Sequence, residues 1–221
     1  MVVNIAIDGP AGAGKSTIAK QVAKELSFIY VDTGAMYRAM AYYLIQSGIE
    51  AENTAGIEEA CQNADITISY INGEQQVLLN GENVNPYIRT EAVGNMASAS
   101  SVNGKVREKL VALQQKLASE KSVVMDGRDI GTVVLPDAQV KIYLTASSAT
   151  RAKRRYDELT AKGIDCDLKQ IEDDIIDRDY RDMHREISPL KQAEDAVLVD
   201  SSEMTIEDVK NRIISIYKER V

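Results

Sequence analysis

The amino-acid sequence predicts an α/β fold with a doubly wound parallel sheet. Five short apolar runs are spaced along the chain, helical stretches separate most of them, and the first run stops at Gly9-Pro10. Such runs are typical of strands buried on both faces of a parallel sheet. The predicted strands are residues 2–8, 28–31, 123–125, 140–144 and 196–199. These observations predict five parallel strands covered by helices.

The chain begins with a predicted βαβ unit. From residue 15 to residue 26, apolar residues recur at intervals of three and four, which is the pattern of an amphipathic helix. They are Ile18, Ala19, Val22, Ala23 and Leu26. A helix between two parallel strands is the basic unit of a doubly wound sheet.

One segment interrupts this alternation with a different pattern. The short runs 66–71, 75–79 and 82–84 are separated by Asn72-Gly73 and Asn80-Gly81. Asn-Gly between two such runs is the strongest short signal for a β-hairpin. We therefore expect a small antiparallel β insertion at residues 65–91.

The chain closes with a predicted helix over residues 205–220. Thr205 is followed three residues later by Asp208, as in a capped helix start, and Ile206, Val209 and Ile213 lie on one face. We expect one domain, residues 1–221, because this length suits a single core with insertions.

Composition excludes several classes of protein. The 26 lysine and arginine residues against 34 aspartate and glutamate residues give a net charge of −8, which excludes a generic nucleic-acid coat protein. No apolar run reaches the roughly 18 residues of a membrane span. Cys61 and Cys166 have no metal-ligand spacing and are interpreted as free thiols. We expect a cytoplasmic protein without membrane or nucleic-acid partners.

The strongest motif follows the first predicted strand and precedes the first predicted helix. Residues 9–16 read Gly-Pro-Ala-Gly-Ala-Gly-Lys-Ser and fit G-x-x-x-x-G-K-[ST]. In this motif, backbone N–H groups wrap a polyphosphate, the lysine reaches the β- and γ-phosphates, and the hydroxyl ligates Mg²⁺. The expected ATP-binding residues are Gly9, Pro10, Ala11, Gly12, Ala13, Gly14, Lys15, Ser16 and Thr17.

Arginines provide candidates for a second phosphate site. Arg38 and Arg128 follow predicted strands, at the sheet edge where ligands of α/β proteins bind. Two further clusters have helical spacing; they are Arg151, Arg154 and Arg155, and Arg178, Asp182 and Arg185. Buried ion pairs, or solvated faces with acidic counter-ions, are the structural alternatives. Beside an NTP-binding loop, positioned arginines favour phosphoryl transfer onto another anion.

Five segments together resemble the bacterial cytidylate kinase family, whose members are P-loop nucleoside monophosphate kinases. They are residues 9–17, 32–38 (Asp-Thr-Gly-Ala-Met-Tyr-Arg), 126–132 (Asp-Gly-Arg-Asp-Ile-Gly-Thr), 178–182 (Arg-Asp-Tyr-Arg-Asp) and 185–190 (Arg-Glu-Ile-Ser-Pro-Leu). The resemblance covers essentially the whole chain. It implies a monomeric enzyme with a helical lid at about residues 151–167, a nucleotide-binding β insertion at 65–91, and Mg²⁺-dependent phosphate transfer from ATP to CMP or dCMP.

The resemblance also implies roles for individual residues. Ser98, Arg107 and Asp129 would read cytosine, although Ser100 or Ser101 could replace Ser98. The remaining residues expected to bind CMP are Thr33, Arg38, Arg128, Arg178, Asp182 and Arg185.

The residues expected to be catalytic by neutralising phosphate charge are Lys15, Arg128, Arg151, Arg154 and Arg155. Ser16 and Asp126 would hold Mg²⁺, Asp126 directly or through water. Two other interpretations stay open: a kinase for UMP or a non-nucleotide metabolite, and a nucleotide-binding module that transfers no phosphate.

Overall fold

The computed structural model describes residues 2–221, with strands and helices alternating along most of the chain. The strands are β1 (Asn4–Asp8), β2 (Ile29–Asp32), β3 (Ile66–Ile71), β4 (Glu74–Leu79), β5 (Glu82–Asn83), β6 (Val123–Gly127), β7 (Val140–Thr145) and β8 (Val197–Asp200). The helices are α1 (Lys15–Leu26), α2 (Thr33–Gln46), α3 (Thr54–Asn63), α4 (Glu91–Ser100), α5 (Gly104–Glu120), α6 (Ser148–Ala161), α7 (Leu168–His184) and α8 (Ile206–Arg220). A π-helical turn covers Ile130–Val134.

The central sheet has five parallel strands in the order β2-β6-β1-β7-β8. This confirms the five predicted strands. The strand predicted at 123–125 extends to Gly127, because the β1 ladder continues until Asp8 lies opposite Gly127. Since β1 lies between β6 and β7, the loop after β1 is at the switch point where open α/β sheets bind ligands.

Helices cover both faces of the central sheet. On one face α1 and α8 pack against the sheet, and their buried residues include Ile18, Val22, Val209 and Ile213. On the other face α2, α3 and α5 share a core with the small sheet; its buried residues include Met36, Met40, Leu44, Ile57, Val77 and Leu110. The helix predicted at 15–26 and the capped helix at the C-terminus are confirmed, the latter with Thr205 and Asp208 in a capping box.

The small sheet (β3, β4 and β5) is antiparallel and confirms the predicted β insertion. In the first turn Asn72 has a φ of 53° and Gly73 a φ of 80°. In the second turn Asn80 has a φ of 51° and Gly81 a φ of 85°. Two consecutive positive φ values are the requirement of a type I′ turn, which explains both Asn-Gly pairs. The small sheet contacts the end of β2, where the Tyr70 hydroxyl donates to the Tyr30 carbonyl at 3.1 Å.

The predicted lid segment, residues 151–167, covers most of α6 and the following loop up to Asp167, which caps α7. Its role as a lid stays a prediction, as does the division of the chain into domain parts. No helix within residues 2–221 is both long and apolar enough to cross a bilayer.

Candidate active site

The glycine-rich loop joins β1 to α1 and exposes the start of the helix. Gly12 and Gly14 have φ of 76° and 85°, and a Cβ on Gly9 would lie 1.9 Å from the carbonyl oxygen of Leu144. Only glycine can therefore place the loop this close to β7. The N-cap, Gly14, offers no side-chain hydrogen bond, so the first N–H groups of α1 have no capping acceptor. Such a helix start binds anions.

Lys15 is the first residue of α1, and its side chain folds back over the loop. It is only 6% exposed, and its Nζ donates to the carbonyl of Pro10 at 2.7 Å. Burial and the charge of Arg128 lower the pKa of Lys15 to about 7, although the charge of Asp126 partly offsets them. Because the Lys15 ammonium is buried and donates to one uncharged acceptor, a bound anion would stabilise its charge.

Ser16 and Asp126 lie together at the carboxyl edge of the sheet. The Ser16 hydroxyl donates to Asp126 Oδ2 at 2.9 Å, and the Tyr30 hydroxyl donates to Oδ1 at 2.8 Å. Thr33 Oγ1 donates to the main-chain carbonyl of Asp126 at 2.7 Å, so this predicted CMP contact is buried beneath the site. Burial, together with the charge of Asp32, raises the pKa of Asp126.

These donors suit Mg²⁺, which prefers oxygen ligands and keeps several waters. A hydroxyl and a carboxylate oxygen 2.9 Å apart can reach the same ion or a water bound to it. Within residues 2–221 no group of three or more acidic, histidine or cysteine side chains could hold a metal ion. Ser16 and Asp126 are the side chains that would hold an ion at this position.

Asp8 attaches the π-helical turn to the end of β1. Its Oδ1 accepts the N–H of Ile130 at 2.8 Å and its Oδ2 accepts that of Gly131 at 2.7 Å. Burial raises the pKa of Asp8 to about 6, although these two hydrogen bonds oppose the shift. Asp8 thus fixes the turn that directly follows Asp129.

Arg107 and Asp129 form a buried ion pair between α5 and that turn. The Arg107 guanidinium also lies 6.0 Å from the ring centre of Tyr37. On the other side of the carboxylate, Arg185 Nη2 is 4.0 Å from Asp129 Oδ1, beyond hydrogen-bond distance. Asp129 Oδ1 therefore retains capacity to accept a hydrogen bond.

The candidate serines lie at the end of α4, beside this ion pair. Ser100 donates to the Met96 carbonyl at 2.8 Å, and Ser101 donates to the Ser98 carbonyl at 2.8 Å. Arg185 Nη1 lies 3.5 Å from Ser101 Oγ. The hydroxyl of Ser100 is thus engaged within its own helix, whereas Ser101 also faces an arginine of the site.

Two more predicted arginines meet carboxylates at the same edge. Arg128 Nε donates to Asp182 Oδ2 at 2.8 Å, and Arg38 Nη2 lies 3.4 Å from Asp32 Oδ2. Burial alone would raise the pKa of Asp182, but Arg128, Arg178 and Arg185 together outweigh burial and hold this pKa below its usual range. Arg178 is exposed on α7, one helical turn before Asp182.

The three lid arginines have different surroundings. Arg151 is buried, donates to the Ala11 carbonyl of the glycine-rich loop at 2.9 Å and pairs with Asp179 at 2.5 Å. Arg154 Nη2 donates to the Ser201 carbonyl at 2.7 Å. Arg155 is exposed and pairs with Glu158 of the same helix at 2.9 Å. Only Arg151 contacts the glycine-rich loop, so a joint role for the three stays a prediction.

Sequence reasoning missed several polar residues that organise this edge. Asp8 ends β1 directly before residues 9–17, and Asp32 ends β2 as the first residue of the segment 32–38, so their positions could have marked both. Asp179 lies inside a segment already singled out on α7. Gln75 and Arg89 gave no signal, because their contacts cross from the small sheet and the segment after it to β2.

Comparisons with known proteins find relatives over almost the whole chain. A family model described as cytidylate kinase matches residues 5–219. The cytidylate kinase of Caldicellulosiruptor saccharolyticus is 52% identical over 215 residues, covering 97% of this chain and 95% of the relative. That of Ligilactobacillus salivarius is 50% identical over 218 residues, covering 99% of this chain and 97% of the relative.

A solved structure supports the fold alone. The crystal structure of an uncharacterized protein from Eubacterium ventriosum aligns with a TM-score of 0.58 at 13% identity, covering 99% of each chain. The sequence matches extend over almost the whole chain and include each segment on which the resemblance was based. This chain belongs to the cytidylate kinase family.

Proposed function

We propose that this protein transfers the γ-phosphate of ATP to CMP or dCMP, giving ADP and CDP or dCDP. The observation that carries the proposal is the buried Arg107–Asp129 pair, which lies at the same sheet edge as the glycine-rich loop. If this pair reads the base, the acceptor nucleotide would lie opposite the polyphosphate site. Membership of the cytidylate kinase family supports cytosine as the base.

The ATP phosphates would bind along residues 9–17. The uncapped start of α1 supplies N–H donors, and Lys15 would leave the Pro10 carbonyl to contact the β- and γ-phosphates. When bound, Mg²⁺ would supply positive charge that neutralises the phosphates. Ser16 and Asp126 are the residues that would hold it, Asp126 directly or through water.

The cytosine ring would lie beside Asp129. Asp129 Oδ1 is not hydrogen-bonded by Arg185, so it can accept the exocyclic amino group of cytosine, and Arg107 can donate to the ring acceptors. Uracil presents a carbonyl where cytosine presents an amino group, and it would face the carboxylate with the wrong polarity. Ser98 or Ser101 would complete this contact.

Charged side chains would bind the phosphate and the sugar of the acceptor. Arg38, Arg128 and Arg185 would bind its phosphate, and Arg178 with Asp182 would bind the sugar hydroxyls. The acceptor phosphate is already an anion, so in-line transfer needs no general base and no covalent intermediate. Arg151, Arg154 and Arg155 would approach the ATP phosphates as the lid segment closes and excludes water.

Product analysis tests this proposal. Purified protein is incubated with ATP, CMP and Mg²⁺, and CDP and ADP are separated by chromatography. We expect equal amounts of both products, loss of both on adding EDTA, and loss of both in Lys15→Met, whose thermal melting should remain cooperative. ADP without CDP would instead indicate an ATPase, and the absence of both would favour the nucleotide-binding module.

A further inference from the structure

We propose that Arg89, beyond the small sheet, is a positioning residue for the acceptor phosphate. Arg89 neutralises Asp32, and this leaves Arg38 available for the incoming phosphate. The inference rests on the proposed function, because it assigns Arg38 to the acceptor phosphate. It gives the insertion a task besides packing: it controls the charge of a buried carboxylate next to the site.

The contacts of Asp32 are unequal. Its Oδ1 accepts the N–H of Ala35 at 2.8 Å and so caps α2, while its Oδ2 accepts from Arg89 Nη2 at 2.6 Å. Arg38 Nη2 lies 3.5 Å from Oδ1 and 3.4 Å from Oδ2, at the outer limit of hydrogen bonding. Arg89 therefore makes the strong ion pair with Asp32, and Arg38 makes the weak one.

Arg38 retains unused donors. Its Nε is buried and has no hydrogen-bond partner among the described residues, and its side chain is 20% exposed. A buried donor without an acceptor is costly, since it has lost water and gained nothing. An anion that approaches Arg38 would satisfy this Nε, and the weak contact with Asp32 allows the guanidinium to turn toward it.

The small sheet also fixes the main chain of Asp32. The N–H of Asp32 donates to Gln75 Oε1 at 2.8 Å, and Gln75 Nε2 donates to the Asp32 carbonyl at 3.2 Å. Both polar groups of this last residue of β2 are thus bound by β4. Two side chains of the insertion therefore bind Asp32: Gln75, which lies within the small sheet, and Arg89, which follows the sheet.

Removal of Arg89 changes which cation compensates Asp32. Burial disfavours the carboxylate, and the two guanidiniums of Arg38 and Arg89 together hold the pKa of Asp32 below its usual range. Without Arg89, Arg38 is the only arginine left in contact with Asp32, and we expect a tighter, two-pronged ion pair between them. That pair would compete with the acceptor phosphate for the same guanidinium.

Substitutions at Arg89, Asp32 and Arg212 can test this inference. The Arg89 side chain is 60% exposed, so its loss should cost little stability. Asp32→Asn keeps an oxygen to cap α2 and removes the charge that would hold Arg38. Arg212→Gln is the matched control, because it removes an exposed arginine from α8, which packs on the opposite face of the central sheet.

The measurement is CMP binding by calorimetry, with thermal melting of each variant. We expect Arg89→Gln to weaken CMP binding about tenfold, Arg89→Lys to weaken it less, and Arg212→Gln to leave it unchanged. In the double variant Arg89→Gln, Asp32→Asn, binding should return to within about threefold of the original protein, because the competing charge is gone. In kinetics, Arg89→Gln should raise the KM for CMP while kcat and the KM for ATP change little.

Two results would overturn the inference. Unchanged CMP binding in Arg89→Gln would show that Arg89 does not influence the acceptor site. Weak binding that the double variant fails to restore would show that Arg89 touches the phosphate itself. If the original protein binds no CMP, the proposed function fails and the inference with it, so the two failures are distinguishable.

Discussion

At the scale of single residues, charge and burial decide what each side chain of the site can do. Lys15, Asp126 and Asp129 are all nearly inaccessible to water, where an ionic group needs a partner of opposite charge. Among residues 2–221, Lys15 has only a carbonyl acceptor at hydrogen-bond distance, whereas Asp129 already pairs with Arg107. Lys15 is therefore the group whose charge should respond most to a bound polyphosphate.

ATP binding should take up a proton at Lys15. With a pKa of about 7 in the free protein, Lys15 is mostly neutral at pH 8, and the phosphates should restore its charge. We expect net proton uptake when ATP binds at pH 8, and an ATP affinity that falls as the pH rises from 7 to 9. Calorimetry in buffers of different ionisation enthalpy measures this uptake. Proton release, or equal uptake in Lys15→Met, would contradict the role of Lys15.

Base discrimination should depend on Asp129. Asp129→Ala removes the acceptor proposed for the cytosine amino group, and kcat/KM for CMP should fall about 100-fold while the ratio of CMP to UMP activity falls with it. The substitution leaves Arg107 buried without its partner, so stability should also drop. Asp129→Asn separates the two effects, because the amide retains a polar group beside Arg107. An unchanged CMP to UMP ratio in both variants would show that Asp129 does not read the base.

Whether a site residue could be predicted depends on how far along the chain its contacts lie. Lys15 and Ser16 could be predicted because a local motif places them at the start of a helix directly after a strand. The contacts of Gln75 and Arg89 could not be predicted, since each residue bonds Asp32, which lies more than 40 positions earlier in the chain. No local pattern records such a contact.

At the scale of elements, hydrophobic periodicity and turn residues were sufficient for most of the fold. The helix at 15–26, the two Asn-Gly turns and the five central strands could all be predicted, because each is determined by neighbouring residues. The π-helical turn Ile130–Val134 could not. It depends on Asp8, which accepts two of its N–H groups from the end of β1.

Gly9 should be the least replaceable glycine of the loop. A Cβ at this position would overlap the Leu144 carbonyl, so Gly9→Ala should lower the free energy of unfolding by about 3 kcal/mol. Gly104 is the matched control: it begins α5 with open space around it, and Gly104→Ala should be neutral or stabilise by up to about 1 kcal/mol. Urea denaturation of both variants measures the difference. Equal stabilities would show that the loop does not need this close approach to β7.

At the scale of the whole molecule, an acidic chain concentrates its arginines at one sheet edge. The net charge is −8, yet Arg38, Arg107, Arg128 and Arg185 all lie around the carboxyl ends of β2 and β6. Each pairs with a carboxylate or lies near one. Such pairs keep the arginines in place until an anionic ligand competes for them.

Closure of the lid segment can be followed at a natural label. Cys61 is buried, whereas Cys166 is half-buried in the loop between α6 and α7. If the lid closes over two nucleotides, ATP with CMP should change the reaction rate of Cys166 with a thiol reagent several-fold, and either nucleotide alone should do less. Cys166→Ser provides the control for reaction at Cys61. Equal rates with and without both nucleotides would contradict closure.

The central claim, that one sheet edge joins an ATP site to a cytosine-reading acceptor site, is tested most directly by an acceptor panel. ADP production from ATP and Mg²⁺ would be measured with CMP, dCMP, UMP, AMP and GMP, and without acceptor. We expect strong activity with CMP and dCMP and little with the others. Comparable activity with UMP or the purine nucleotides would contradict the roles given to Arg107 and Asp129, and activity that ignores the acceptor would contradict phosphoryl transfer to a nucleotide altogether.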